Sequence, residues 1–145
     1  GDAREAIREI DERFDWIVGG DVIEHLVDPW EFLRELKRVA EPGGRLLLSI
    51  PNMAAWPVVA ELLRGRFDYL YAGHLSAGHL RFFTRRTIED TISMGSWSVE
   101  WIRPQPDIAP EEREELFDKL DRGGIAYSRE DLSVPGWYVL ARNSE

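Results

Sequence analysis

The chain has 145 residues, a formal net charge of −9 and no cysteine. That length suffices for one modest core, and the absence of cysteine excludes disulfides and Cys-ligated zinc or iron–sulfur centres. The acidic balance argues against nucleic acid as a partner, with Arg81, Arg85 and Arg86 as the one local basic cluster. No apolar run reaches the ~20 residues of a membrane span, and Gly1-Asp2-Ala3-Arg4-Glu5 holds no signal-peptide core. A cytoplasmic protein acting on a small molecule is expected.

Residues 4–12 read as a short polar helix. Phe14-Asp15-Trp16-Ile17-Val18 is a short apolar run before Gly19-Gly20 and reads as a buried strand. The stretch 21–26 reads as a turn or short helical segment. Asp28 is a helix N-cap, with Pro29 at the first helical position and Glu31 placed to close a capping box. Phe32, Leu33, Leu36, Val39 and Ala40 form the apolar stripe of that helix, and Pro42-Gly43-Gly44 is expected to end it. Residues 45–50 form a second buried strand, stopped by Pro51-Asn52.

Strand, helix and strand imply a parallel pair with a right-handed crossover. Both strands are nearly all apolar, so helices are expected on both faces of the sheet, an α/β layered fold. A helix follows over 54–64 with Pro57 in its first turn, then an irregular Gly-, Tyr- and His-rich loop from Gly65 to Arg81. Thr84 caps a helix over about 85–94 that ends at Gly95. Residues 97–102 and 136–141 read as strands that pair antiparallel at a sheet edge. Between them runs a long connection, 104–135, with an acidic helix near 110–121.

Five words stand in order along the chain: Phe14-Asp15-x-Ile17-Val18, Asp21-Val22-Ile23-Glu24-His25-Leu26-x-Asp28-Pro29, Glu41-Pro42-Gly43-Gly44, Ser49-Ile50-Pro51-Asn52 and His79-Leu80-Arg81-Phe82-Phe83-Thr84. In this order and spacing they resemble the C-terminal part of class I S-adenosylmethionine-dependent methyltransferases, from the fourth strand onward. The resemblance implies a Rossmann-like methyltransferase fold whose first three strands are absent. It also divides one partial domain, 1–145, into core elements over 1–102, a connection with a helix over 103–135, and a last strand over 136–142. The chain contains no Gly-x-Gly, so the family's Gly-rich cofactor loop is missing. Nor does it begin with Met, which suggests a fragment, a processed chain or a partly observed one. The fourth strand would then expose an unpaired edge, to be covered by a missing N-terminal segment or by homo-oligomerisation.

The resemblance implies S-adenosylmethionine as cofactor and assigns residues to it. Asp2 and Ala3 would flank the adenine, and Gly19, Gly20 and Asp21 the methionine end, at the carboxyl end of a strand where open α/β sheets bind ligands. Gly19-Gly20 is otherwise a plain strand-to-loop turn. His25 reads either as the general base at the methyl-transfer point, with Glu24 beside it, or as a satisfied, partly buried side chain. Asp21-x-x-Glu24-His25 also resembles a segment of metal-assisted O-methyltransferases, such as those of ubiquinone synthesis, and His79 would complete that site. The family segment begins with the longer Glu where this chain has Asp, and no metal is expected. Asn52, Tyr71 and Arg81 are the candidate acceptor-binding residues. Arg81 would hold a carboxylate or phosphate, or else, in a loop pinned by aromatics onto the sheet, cap a helix or pair with an acid.

The reaction implied is direct displacement of the sulfonium methyl by an O, N or C atom of a small-molecule, sugar or lipid-like acceptor. No covalent enzyme intermediate is needed. The alternative is a methyltransferase-like module with a binding or scaffolding role and no activity.

Overall fold

In a computed structural model, the structure describes residues 3–106 and 111–144, and side chains from residue 5 onward. Helix α1 (Ala3–Arg8) leads to strand β1 (Phe14–Gly20), a single 3-10 turn (Ile23–His25), helix α2 (Pro29–Arg38) and strand β2 (Ala40–Pro51). Helices α3 (Trp56–Leu63) and α4 (Arg85–Met94) flank the long loop. Strand β3 (Ser98–Pro104), helices α5 (Glu111–Arg122) and α6 (Arg129–Ser133), and strand β4 (Gly136–Arg142) complete the chain. The sheet order is β1-β2-β4-β3. β1 and β2 are parallel, and β4 runs antiparallel to both β2 and β3.

The helices begin where their caps put them. Asp28 accepts the Glu31 N–H at 2.8 Å, with Pro29 in the first turn. Thr84 and Thr87 close a reciprocal capping box at the start of α4, which satisfies donors that a first turn leaves orphaned. The α1 helix is shorter than expected and is tied to α2 by Arg8–Glu35 at 2.6 Å and by Arg38 donating to the Ile7 and Ile10 carbonyls.

Two expectations are corrected. Pro42-Gly43-Gly44 does not end α2; the helix stops at Arg38, and Val39 donates back to the Leu36 carbonyl at 3.2 Å. The Pro-Gly-Gly word is instead an irregularity inside β2, where the register with β1 shifts between Phe14↔Ala40 and Trp16↔Arg45. Glycine is required there: a Cβ on Gly44 would lie 2.8 Å from the Glu41 carbonyl oxygen and 3.0 Å from that of Phe14. The backbone stays paired through the irregularity, since Gly43 donates to the Asn143 carbonyl and Asn143 to that of Gly44. Between those two pairs β2 advances five residues while β1 advances two, and the extra residues kink β2 and disrupt its ladder with β1 locally.

The second correction concerns the sheet faces. One face carries Leu46, Leu48, Ile50, Trp137, Val139 and Ala141, all buried under α1, α2 and α4. On the other face, β1 is bare: Trp16 is 53% exposed and Val18 70%. Arg45 lies over the Trp16 ring, 5.4 Å from its centroid. Helices therefore cover both faces only in part. A second, smaller cluster of Phe117, Leu120 and Leu132 packs α5 and α6 against Trp56 and Val59 of α3. The α6 turn was not anticipated; Ser128 caps it by accepting the Asp131 N–H at 3.1 Å.

Candidate active site

The site lies past the carboxyl ends of β1 and β2. Gly19 is half-buried against Leu48 and Val22, and Gly20 is exposed. Asp21 has a left-handed φ of 51°, uncommon for a residue with a side chain. Ser49 at the end of β2 accepts the Asp21 N–H and donates its hydroxyl to Asp21 Oδ1 at 2.8 Å. That pair holds the turn open above the two glycines. Strain held by a local network in this way is common at functional sites.

The chain then drops into the 3-10 turn. Ile23 is buried in the core and carries Glu24 in with it. Neither carboxylate oxygen of Glu24 has a hydrogen-bond partner on any other described residue. Burial pushes the Glu24 carboxyl up from 4.5 to about 7, and the charge of Asp21 adds to the rise; its own backbone hydrogen bond and His25 pull the other way. A buried carboxyl with no partner is costly, and such groups mark sites that receive something.

His25 and His79 stand beside it, ring centroids 4.8 Å apart and nearly perpendicular. His25 Nδ1 lies 2.8 Å from the Gly78 carbonyl oxygen, and His79 Nδ1 lies 3.0 Å from that of His74. A carbonyl only accepts, so each Nδ1 carries the hydrogen, and each neutral ring keeps its lone pair at Nε2. Metal-binding and general-base imidazoles are oriented in the same manner. The loop is itself anchored: Leu80 and Arg81 donate to the Glu24 carbonyl at 2.8 and 3.0 Å, and His74 Nε2 sits 2.6 Å from the Pro135 carbonyl. A Cβ on Gly78 would lie 3.2 Å from His25 Nδ1, so the loop is pressed close against the ring.

The structure thus brings Glu24, His25 and His79 together; ligand-capable atoms of the three lie within 4.8 Å of one another. Of the three expected acceptor-binding residues, Arg81 lies beside that cluster, lining a small pocket with His79, whereas Asn52 and Tyr71 are placed elsewhere. Asn52 is fully buried, donating to the Asp131 and Val134 carbonyls and accepting from Ala54, so its amide ties β2 to α6. Arg81 donates to the Val27 and Leu80 carbonyls and lies 5.9 Å from the Trp30 centroid, which pins the loop. Tyr71 is fully exposed at the loop. Asp2 lies outside the described residues, and Ala3 is described only as the first residue of α1. Trp56 lines an open groove of about 360 Å³ between α3 and α5.

Ser49, Gly78 and the carbonyl of His74 went unassigned in the sequence. The one available signal was Ser49, a lone polar residue in the apolar run Leu46-Leu47-Leu48-Ser49-Ile50. The other two act through backbone atoms, which residue identity does not announce.

A family model described as a methyltransferase domain matches residues 1–92. The ubiquinone biosynthesis O-methyltransferase of Ruegeria pomeroyi is 32% identical over 75 residues, 45% of this chain and 30% of that protein. The chain therefore spans under a third of that curated relative. An S-adenosylmethionine-dependent methyltransferase from Archaeoglobus fulgidus superposes with a TM-score of 0.56 at 15% identity, over 98% of this chain and 65% of that one. Another from Mesorhizobium loti gives 0.52 at 15%, over 94% and 66%. S-adenosylmethionine is thus the cofactor expected for such a fold. With the family model spanning most of its length and the Rossmann-like sheet shared with these enzymes, the chain belongs to the S-adenosylmethionine-dependent methyltransferases.

Proposed function

We propose that this chain supplies the acceptor end of an S-adenosylmethionine-dependent methyltransferase acting on a hydroxyl group of a small molecule. The single observation behind this reading is the pair of imidazoles fixed with free Nε2 atoms beside the partnerless carboxyl of Glu24. Gly19, Gly20 and Asp21 flank the methionine end of the cofactor, with Asp2 and Ala3 at its adenine. When bound there, S-adenosylmethionine would supply an electrophilic methyl group to the acceptor oxygen, and His25 Nε2 would take the proton of that hydroxyl. The Gly78 carbonyl holds the opposite N–H of that ring and steadies the imidazolium formed. The loop over 74–82 orients both imidazoles, and alignment supplies much of the rate. The choice of oxygen over nitrogen or carbon follows the O-methyltransferase relative.

A metal-assisted version has its own support. Two Nε2 lone pairs and an orphaned buried carboxylate are the donor set that a divalent ion takes, so Glu24, His25 and His79 would hold it. A bound ion would lower the pKa of an acceptor hydroxyl.

The test is transfer of labelled methyl from S-adenosylmethionine to a panel of phenolic, sugar and lipid-like hydroxyl acceptors. His25→Ala is expected to lower the rate by about a hundredfold or more. Loss of rate under chelation in the parent chain, and no further loss in Glu24→Ala, would support the ion. Full activity in His25→Ala and Glu24→Ala together would refute the site. Absence of transfer to every acceptor, with cofactor bound, would favour the binding-module alternative.

A further inference from the structure

The loop between α3 and α4 carries a surface that the methyl-transfer reading does not use. More than half of the large apolar side chains exposed among the described residues fall between Leu62 and Phe82, about one seventh of the chain. Leu63 is 62% exposed, Tyr69 66%, Leu70 52% and Tyr71 104%. They are not a frayed strand. Phe67 packs edge-on against both Tyr69 and Phe82, with centroids 5.6 and 5.8 Å away. Leu70 donates to the Leu75 carbonyl and accepts from Ala77, and Met53 donates to the Phe83 carbonyl where the loop rejoins the sheet. The loop is ordered by its own backbone while its apolar side chains point outward.

Charge distinguishes this segment from the rest. Over residues 61–86, five arginines (Arg64, Arg66, Arg81, Arg85, Arg86) stand against Glu61 and Asp68, a net of +3, in a chain whose net charge is −9. Arg64 and Arg66 pair with Glu61, and Arg66 also with Asp68. The excess therefore resides at Arg81, Arg85 and Arg86, beside the exposed ends of Leu80 and Phe82.

We propose that this loop is a docking surface for an anionic lipid membrane, which it meets in the plane of the headgroups. Tyrosines with an apolar ring and a polar tip, leucines beside them and arginines at the rim are the composition that partitions to that interface. A lipid headgroup layer also supplies the complementary negative charge. No helix among the described residues is long and apolar enough to cross a membrane, so the contact is peripheral. The same loop carries His79 and the carbonyls that orient both imidazoles, so docking would set the Glu24–His25–His79 cluster close to the bilayer. The docking claim itself stands on the loop surface and not on catalysis.

The experiment is co-sedimentation of the chain with phosphatidylcholine vesicles, with and without added phosphatidylglycerol. Binding is expected only to the phosphatidylglycerol vesicles and is expected to weaken as salt rises. Two double variants are compared, Leu70→Ser/Tyr71→Ser and Arg85→Glu/Arg86→Glu, each checked for an unchanged circular dichroism spectrum. Each should lower the partition coefficient by about tenfold or more. Lack of binding to phosphatidylglycerol vesicles at low salt would overturn the proposal, as would binding that neither variant weakens. So would a chain that ignores vesicles but self-associates through Leu70 and Tyr71, since the surface would then be a protein interface.

Discussion

Glu24 governs how the site responds to pH. Its carboxyl is raised from 4.5 to about 7 in the fold, so between those values the unfolded chain has released a proton that the folded chain retains. Stability therefore falls as pH rises from about 4.5 to 7 and levels off above, by about 3 kcal/mol in all. Glu24→Gln should flatten that slope and leave the protein more stable at pH 8, measured by urea unfolding across the range. A slope unchanged by the substitution would mean Glu24 is not the group responsible. If the carboxylate serves a cation, a divalent ion should raise the melting temperature of the parent above pH 7 and leave Glu24→Gln unmoved. Glu24 and His25 were legible because they sit side by side in one word at a strand end. Asn52 was legible as a position but not as a role: resemblance marks where a residue stands, whereas its hydrogen-bond partners, distant in sequence, decide which way its amide points. Arg81 is the same case, its guanidinium spent on backbone carbonyls.

At the scale of elements, local chemistry carries most of the fold. The Asp28 and Thr84 caps and the apolar stripe of α2 are all written in adjacent residues, and the structure uses each of them. Thr84→Ala should destabilise by about 1 kcal/mol, read as a shift in the urea midpoint at constant m-value. Leu33 is fully buried on α2, and its carbonyl accepts the Trp97 indole N–H at 2.7 Å. Leu33→Ala should cost about 2–5 kcal/mol; a cost below 1 kcal/mol would mean α2 is not seated on the core as described. Pro42-Gly43-Gly44 misled because Pro and Gly end helices and also build strand irregularities. The choice between these depends on β1 and β4 pressing against Gly44 and Gly43, contacts that local sequence does not carry.

For the molecule as a whole, the sheet edge and bare face at β1 dominate. Phe14, Trp16 and Val18 are exposed on a seven-residue strand that, among the described residues, pairs only with β2. Such an edge is a template for another strand, and the apolar run in the sequence foretold burial that the described residues do not provide. Self-association at high concentration is the expected consequence, and Val18→Lys should reduce it in light scattering. Unaltered association would place the sticky surface elsewhere.

On the proposed function, the carboxyl end of β1 receives the methionine end of S-adenosylmethionine beside His25 and His79. Titration of the ¹⁵N-labelled chain with S-adenosylhomocysteine, followed by amide and imidazole NMR shifts, tests it even if binding is weak, with a Kd of about 1 mM. Shifts confined to Asp2, Ala3, Gly19, Gly20, Asp21 and the rings of His25 and His79 are expected. Shifts centred on the α3–α5 groove, or no shifts at all at saturating ligand, would contradict it.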